Sequence, residues 1–272
     1  MSPRALRLDG LVCDLDGVVY RGSDPIPGAA AAIAKFRSEG LRVLFATNNA
    51  THTSASYLER LERFGIAAER PDLLTSAMVT AEEIARRGWS GMSAFLVGSD
   101  GIKEELQNLG MRFLDGDEAR RAEIVVTSGD PRFSYDSMRT AAFALRNGAR
   151  FIATNDDPTF PAPDGLWPGA GAILAAIERA SGRHAEVMGK PHMPMMEAAG
   201  RRLEGCESIG VVGDQPATDL AGGRTLGWTT ILVLTGVTGS EQVPSLEFAP
   251  DFVAADLTEV ASLLEPVVDG KA

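Results

Sequence analysis

Short apolar runs alternate along this chain with longer stretches in which apolar residues recur every third or fourth position. These are the signatures of buried strands and of helices with one inward face. Leu11-Val12-Cys13 reads as the end of a strand buried on both faces. A loop of turn formers, residues 21–28, leads into a helix that can take Pro27 at its first position. That helix turns Ile33 and Phe36 inward, runs to about Glu39 and stops at Gly40. Residues 41–46, LRVLFA, form the next buried strand. Strand, helix, strand in this order implies a right-handed crossover between parallel strands. Thr53 suits the cap of a further helix with Leu58, Leu61 and Phe64 inward, closed by Gly65. A third short αβ unit follows, with a helix over residues 76–87.

The organisation changes at Gly88-Trp89-Ser90-Gly91. Beyond it, residues 92–98, 123–127 and 151–154 read as strands. Residues 101–109, 134–147 and 170–180 read as helices, the second capped by Ser134. Residues 88–183 thus form a second αβ layer, long enough for a core of its own. The first pattern then returns, with strands at 208–213, 230–234 and 252–254. Asp256 and Glu259 have capping-box spacing for a final helix. The fold class is α/β, built on parallel sheets.

Composition narrows the picture. A length of 272 residues suits one large or two modest domains, and a hydrophobic fraction of 44% supports a real core. A formal charge of −11 argues against nucleic acid, which calls for a basic stripe, and tolerates a metal held by carboxylates. Two distant cysteines, Cys13 and Cys206, fit a reducing compartment better than a disulfide framework. Residues 1–10 lack an apolar targeting core, and no apolar run reaches spanning length. The expectation is a soluble, cytoplasmic protein with no membrane partner.

The candidate chemistry collects where strands stop. Asp14 and Asp16 follow the first strand, and two like charges so close persist most cheaply around a divalent cation. Thr47, Asn48 and Asn49 follow the second, a hydroxyl and two amides that suit phosphate oxygens or simply cap a helix. Asp214 ends a third strand, with Asp219 five residues on. Lys190 stands between glycine and proline in a loop after residues 186–188, better fixed than most surface lysines. His192, beside it, has no partner that the sequence identifies, and His52 reads as a loop residue. Ser128-Gly129-Asp130 reads as a strand-end turn. The cluster Thr154-Asn155-Asp156-Asp157 has a better claim to touch a substrate. Gly169-Ala170-Gly171 lacks the third glycine and the preceding strand of a nucleotide loop, and reads as a closely packed helix start. Acids for a magnesium ion, a hydroxyl and a lysine for phosphate together make a phosphoryl-transfer set.

DLDGVVY, ATNN, GKP and GDQPATD resemble, in order, the four motifs of the haloacid dehalogenase superfamily of phosphatases. GARFIATNDD and PGAGAI resemble the large αβ cap of the branch with para-nitrophenyl, pyridoxal, phosphoglycolate and bacterial nucleotide phosphatases (subfamily IIA). The resemblance implies a Rossmann-like core at about 1–87 and 184–272, interrupted by a cap at about 88–183. It implies a Mg²⁺-dependent phosphatase acting on a small phosphorylated metabolite through an aspartyl-phosphate intermediate. Asp14 would be the nucleophile, and Asp16 the acid and then the base. Asp14, Asp16 through its carbonyl, and Asp214 would hold Mg²⁺, with Asp219 behind them. Thr47, Asn48, Asn49, Gly17 and Lys190 would hold the phosphate. Asp130, Asn155 and Asp156 would face the leaving group from the cap, and a homodimer is left open. In one departure, Gln215-Pro216 stands where relatives often carry a charge.

Other readings use the same residues. A phosphotransferase or mutase would pass the phosphoryl group to a hydroxyl rather than to water. A signalling receiver domain shares the acids, Thr, Lys and Mg²⁺, but is much shorter and has no inserted segment. A non-catalytic phosphate-binding protein would not need the full set of catalytic side chains.

Overall fold

A computed structural model of the chain describes residues 5–162 and 165–265; the outermost residues of the expected core, 1–4 and 266–272, lie outside this range. The chain packs into two compact units. One comprises Met1–Thr47, Leu58–Leu74 and Met196–Ala272, the other Asn48–Tyr57 and Thr75–Met195.

The first unit carries a six-stranded sheet. Its spatial order is Phe252–Ala254, Thr229–Val233, Ile209–Gly213, Gly10–Cys13, Arg42–Thr47 and Leu73–Thr75. The neighbours from Phe252–Ala254 through to Arg42–Thr47 run parallel. Gly10–Cys13 is buried along its length, which is why it reads as a continuous apolar run rather than an alternation. The first helix spans Ala29–Ser38, starting after Pro27 rather than on it. Gly28 explains the delay, because its left-handed φ of 84° breaks the helical path. The helix buries Ala29, Ala32, Ile33 and Phe36 and packs on the last helix, Leu257–Leu263. Asp256 caps that last helix by accepting the Glu259 N–H at 2.9 Å. The reciprocal bond runs from the Ala255 N–H to Glu259, one residue earlier than in a standard box.

The second unit has its own five-stranded sheet, ordered Glu186–Val187, Arg150–Ala153, Ile124–Thr127, Ser93–Val97 and Arg112–Phe113. All its pairings are parallel. Helices Tyr135–Arg146 and Ala170–Ser181 pack together, and their Leu145, Leu174 and Ile177 share one buried cluster with Val125 and Phe151 of the sheet. Ser134 caps the first of them, exchanging hydrogen bonds with Ser137 in both directions. Some elements go beyond the sequence expectation. Glu186–Val187, which the sequence left without an assignment, pairs as a strand. Thr159–Ala162 and Gly165–Pro168 form an antiparallel hairpin, concealed by prolines that count against strands. Met193–Arg202 is a helix, concealed by Pro194 and Gly200. Among the described residues, no helix is long and apolar enough to cross a membrane.

Candidate functional site

Parallel pairing decides where the acids of the first unit stand. Cys13 lies opposite Val212 on one side and Phe45 on the other. The next residues, Asp14, Gly213 and Ala46, therefore reach the same carboxyl edge, with Asp214 and Thr47 one step on. Asp14 extends the ladder by donating its N–H to Val212 at 3.0 Å. Asp14, Asp214 and Asp219 are buried, and one carboxylate oxygen from each lies within 4.8 Å of the others.

Backbone donors hold this cluster in shape. Asp219 Oδ2 accepts the N–H groups of Asp214 at 3.1 Å and Gln215 at 3.0 Å. Val237 donates its N–H to Asp214 Oδ2 at 2.6 Å. Gly17, at φ 80°, lies so close that a Cβ there would stand 2.5 Å from Asp214 Oδ2. The position therefore admits only glycine, for its conformation and for its size. The Thr235 hydroxyl, donating to the Gly17 carbonyl at 2.5 Å, and the Gly17 N–H, bonded to the Tyr20 carbonyl at 2.7 Å, fix the turn that carries Asp16. The donor set consists of buried carboxylate oxygens whose like charges repel, which fits a small hard divalent cation. Asp16 is not part of the carboxylate group; the expectation for it rested on its carbonyl. Asp219, expected behind the ligands, belongs to the group while also bonding the backbone. Gln215 is exposed and serves the cluster through its backbone, donating its N–H to Asp219 Oδ2 and accepting the Asp219 N–H at 2.7 Å on its carbonyl. The departure from the usual charged residue there leaves the carboxylates intact.

In the second unit, side-chain amides hold a lysine. The Asn48 side chain clamps the backbone of Lys190 from both sides. Asn48 Nδ2 donates to the Lys190 carbonyl at 2.9 Å, and the Lys190 N–H donates to Asn48 Oδ1 at 2.7 Å. Asn48 Nδ2 also donates to Asp157 Oδ2 at 3.0 Å. The Asn48 carbonyl accepts from Asn155 Nδ2 at 2.8 Å and from Ser76 Oγ at 2.5 Å. Gly189 must be glycine, since a Cβ there would stand 2.5 Å from Asn48 Oδ1. Lys190 is only 2% exposed, so it is no solvated surface charge.

The remaining sequence candidates find definite places. Asn49 Oδ1 accepts from the Thr51 N–H and hydroxyl, and its carbonyl accepts from the Tyr57 hydroxyl. Asp130 accepts from the Arg132 N–H and Nε, and Arg132 also donates to the Gly98 carbonyl. The Gly-x-Gly segment is a packed helix start, with the Gly171 N–H donating to the Asp157 carbonyl at 2.9 Å. His52 is exposed and meets the Tyr57 ring edge-on. His192 does have a partner: its Nε2 lies 2.9 Å from Asp156 Oδ2. This bond holds the imidazole above its ordinary range and the Asp156 carboxyl below its own, with burial opposing both. Sequence reasoning missed this pair and the Asn48 clamp, because both join residues far apart in the chain.

A family model described as haloacid dehalogenase-like hydrolase matches residues 11–112, and a second, HAD-hydrolase-like, matches residues 187–260. The chain is 34% identical over 253 residues to an acid sugar phosphatase of Staphylococcus saprophyticus, covering 93% of this chain and 96% of that protein. It resembles the solved p-nitrophenyl phosphatase of Archaeoglobus fulgidus with a TM-score of 0.89 and 33% identity, covering 95% of this chain and 100% of that one. A glycerol phosphate phosphatase of Mycobacterium tuberculosis, solved in complex with magnesium, gives a TM-score of 0.86 and 32% identity, covering 97% of this chain and 80% of that one.

Proposed function

The chain belongs to the haloacid dehalogenase-like hydrolases, and on that premise we propose that it is a Mg²⁺-dependent phosphatase of small phosphorylated metabolites. The observation that carries this reading is the cluster of Asp14, Asp214 and Asp219 at the edge of the parallel sheet. Ligands of open αβ sheets bind at that edge.

The roles follow from the chemistry of each side chain. Asp14 attacks phosphorus with a carboxylate oxygen, and the bond from phosphorus to the leaving oxygen breaks. Asp16 gives its proton to that oxygen as it leaves. Asp16 then takes a proton from water, whose oxygen attacks phosphorus and releases inorganic phosphate and the Asp14 carboxylate. A carboxylate is a weak nucleophile toward an anionic ester, so the phosphate charge must be offset. Thr47, the amides at Asn48 and Asn49, and Lys190 take that role in the motif order of the family. Mg²⁺, when bound, supplies further charge neutralisation; Asp14, the Asp16 carbonyl and Asp214 would hold it, with Asp219 fixing Asp214. Residues 88–183 are the proposed cap that reads the leaving group, and residues 1–87 and 184–272 the catalytic core. A cytoplasmic location belongs to the same proposal.

The test is a phosphate-release screen with and without Mg²⁺. It covers sugar phosphates, glycerol phosphate, phosphoglycolate, nucleoside monophosphates, pyridoxal phosphate and para-nitrophenyl phosphate. Release that needs Mg²⁺ supports the reading. Transfer to a hydroxyl acceptor without free phosphate would make the protein a phosphotransferase. Phosphate-ester binding without turnover would make it a binding protein.

A further inference from the structure

We propose that His192 and Asp156 are a positioning pair for Lys190, a proton-dependent clasp that sets how firmly the lysine loop holds phosphate. This rests on the reading of Lys190 as a phosphate ligand and adds to it a residue pair and a pH dependence.

The topology brings the pair together. Strands Arg150–Ala153 and Glu186–Val187 are parallel neighbours, with Val187 opposite Ala153. The turn after the first, 154–157, and the loop after the second, 188–192, therefore leave the sheet side by side. Two ties join them. The first is the Asn48 amide, bonded to Asp157 and to both backbone groups of Lys190. Neither an amide nor a backbone group titrates, so the part of this tie that grips Lys190 does not depend on pH. The second is the bond from His192 to Asp156 at 2.9 Å.

His192 is coupled to Lys190 by more than sequence. Its N–H donates to the Gly189 carbonyl at 2.9 Å, closing a turn that contains Lys190. What holds His192 therefore holds the lysine's backbone. The carboxylates facing the imidazole are Asp156 and Asp157 from the neighbouring turn. On its own loop Lys190 is the charged residue closest in sequence. The pair's side chains are 38% and 41% exposed, so the imidazole exchanges protons readily with solvent.

The sign follows from linkage. The partner holds the His192 imidazole above its ordinary range, so the charged bond is complete below that range. It is lost as pH rises through the elevated value, leaving a neutral and weaker hydrogen bond. Phosphate affinity should then fall by about two- to fivefold, the range of a partly exposed ion pair. A pair that merely braced the surface would shift stability and leave affinity and its pH profile unmoved.

The experiment measures inorganic phosphate binding with Mg²⁺ from pH 5 to 9, in the wild type and in His192→Gln and Asp156→Asn. The His192 imidazole is titrated in parallel by NMR. Against His192→Gln as baseline, the wild type should bind about two- to fivefold more tightly at low pH and equally above the His192 pKa. KM should follow the same ratio while kcat holds. Asp156→Asn should lower the His192 pKa and move the limb with it. Reciprocity offers a test without any variant: adding phosphate to the wild type must raise the His192 pKa. No change in that pKa, or identical affinity profiles for wild type and His192→Gln, would overturn the clasp. A wild type that binds phosphate with His192 linked, yet hydrolyses no ester, would remove the phosphatase reading and leave the clasp. A wild type that hydrolyses esters with His192 unlinked would do the reverse. Failure to bind phosphate at any pH would remove both.

Discussion

The two parallel sheets of this chain are built alike and end differently. The six-stranded sheet ends in carboxylates, with Asp14 and Asp214 after adjacent strands and Asp219 folded back beside them. The five-stranded sheet ends in hydroxyls and amides, with Ser128, Thr154 and Asn155 buried at its edge and Lys190 beyond its outermost strand. The way each edge is held also differs. Backbone N–H groups grip the side chains of Asp214 and Asp219, so the main chain positions charge. In the other unit the Asn48 side chain grips the backbone of Lys190, so a side chain positions the main chain. The same architecture can thus gather like charges for a cation or fix one cation for an anion. What differs is which groups the strand ends supply.

The largest effect should come from the carboxylate edge. Excess chelator should abolish turnover and Mg²⁺ should restore it. Mg²⁺ should also raise thermal stability, by about 2.7 kcal/mol at a hundred times its Kd. A melting temperature indifferent to Mg²⁺ would mean that the acids are held by hydrogen bonds alone. At the amide edge, Lys190→Met should lower kcat/KM by about 10- to 100-fold. A hydrogen bond to a charged group is worth about 1.5–3 kcal/mol. Near-normal kcat/KM in a folded Lys190→Met variant would reduce the clamp to a structural feature.

A smaller effect separates the units by acid stability. In the second unit Glu83 accepts from Arg86 and from Arg87, which also pairs with Glu186. Hydrogen bonding from Arg86, then from Arg87, lowers the Glu83 carboxyl to about 2, against burial, which raises it. Its folded value is depressed, so its contribution is full above the unfolded value of 4.5 and is lost as pH falls toward about 2. Arg86 is largely exposed, so solvent screening reduces the contribution to about 1 kcal/mol. Glu83→Gln should remove that much stability at neutral pH and none at pH 2, measured by urea unfolding. The smallest effect should come from Asp130→Ala, which leaves the Arg132 side chain held at the Gly98 carbonyl but no longer at Asp130. It should reorder natural phosphate esters by about two- to fivefold and change para-nitrophenyl phosphate less. Equal losses on every ester would assign Asp130 to folding.

The carboxylate edge was largely legible in the sequence, and the amide edge only in part. Asp14, Thr47 and Asp214 each follow a short apolar run, and parallel pairing of those runs suffices to align them. Lys190 could be singled out by its neighbours Gly189 and Pro191, but its support could not. Asn48 and Lys190 are 142 positions apart, and no local pattern encodes their bond. The same holds for His192 and Asp156, 36 positions apart. The pairing of Thr159–Ala162 with Gly165–Pro168 was hidden by Pro161 and Pro168, which local propensity counts against strands. Pairing along both strands outweighed that local cost.

The central claim is that Asp14 and Asp16 divide the chemistry as nucleophile and proton carrier. Rapid mixing of para-nitrophenyl phosphate with Asp16→Asn tests it most directly. Nitrophenolate leaves well without a proton, so transfer to Asp14 should proceed. Attack by water should then stall without its base, a loss of about 10²–10⁴-fold. The account predicts a burst of about one nitrophenolate per site, followed by a slow phase, as an accumulating covalent intermediate requires. Asp14→Asn should give neither phase. A burst from Asp14→Asn and none from Asp16→Asn would reverse the roles. No burst from either variant, with no phosphoenzyme trapped, would contradict the covalent route altogether.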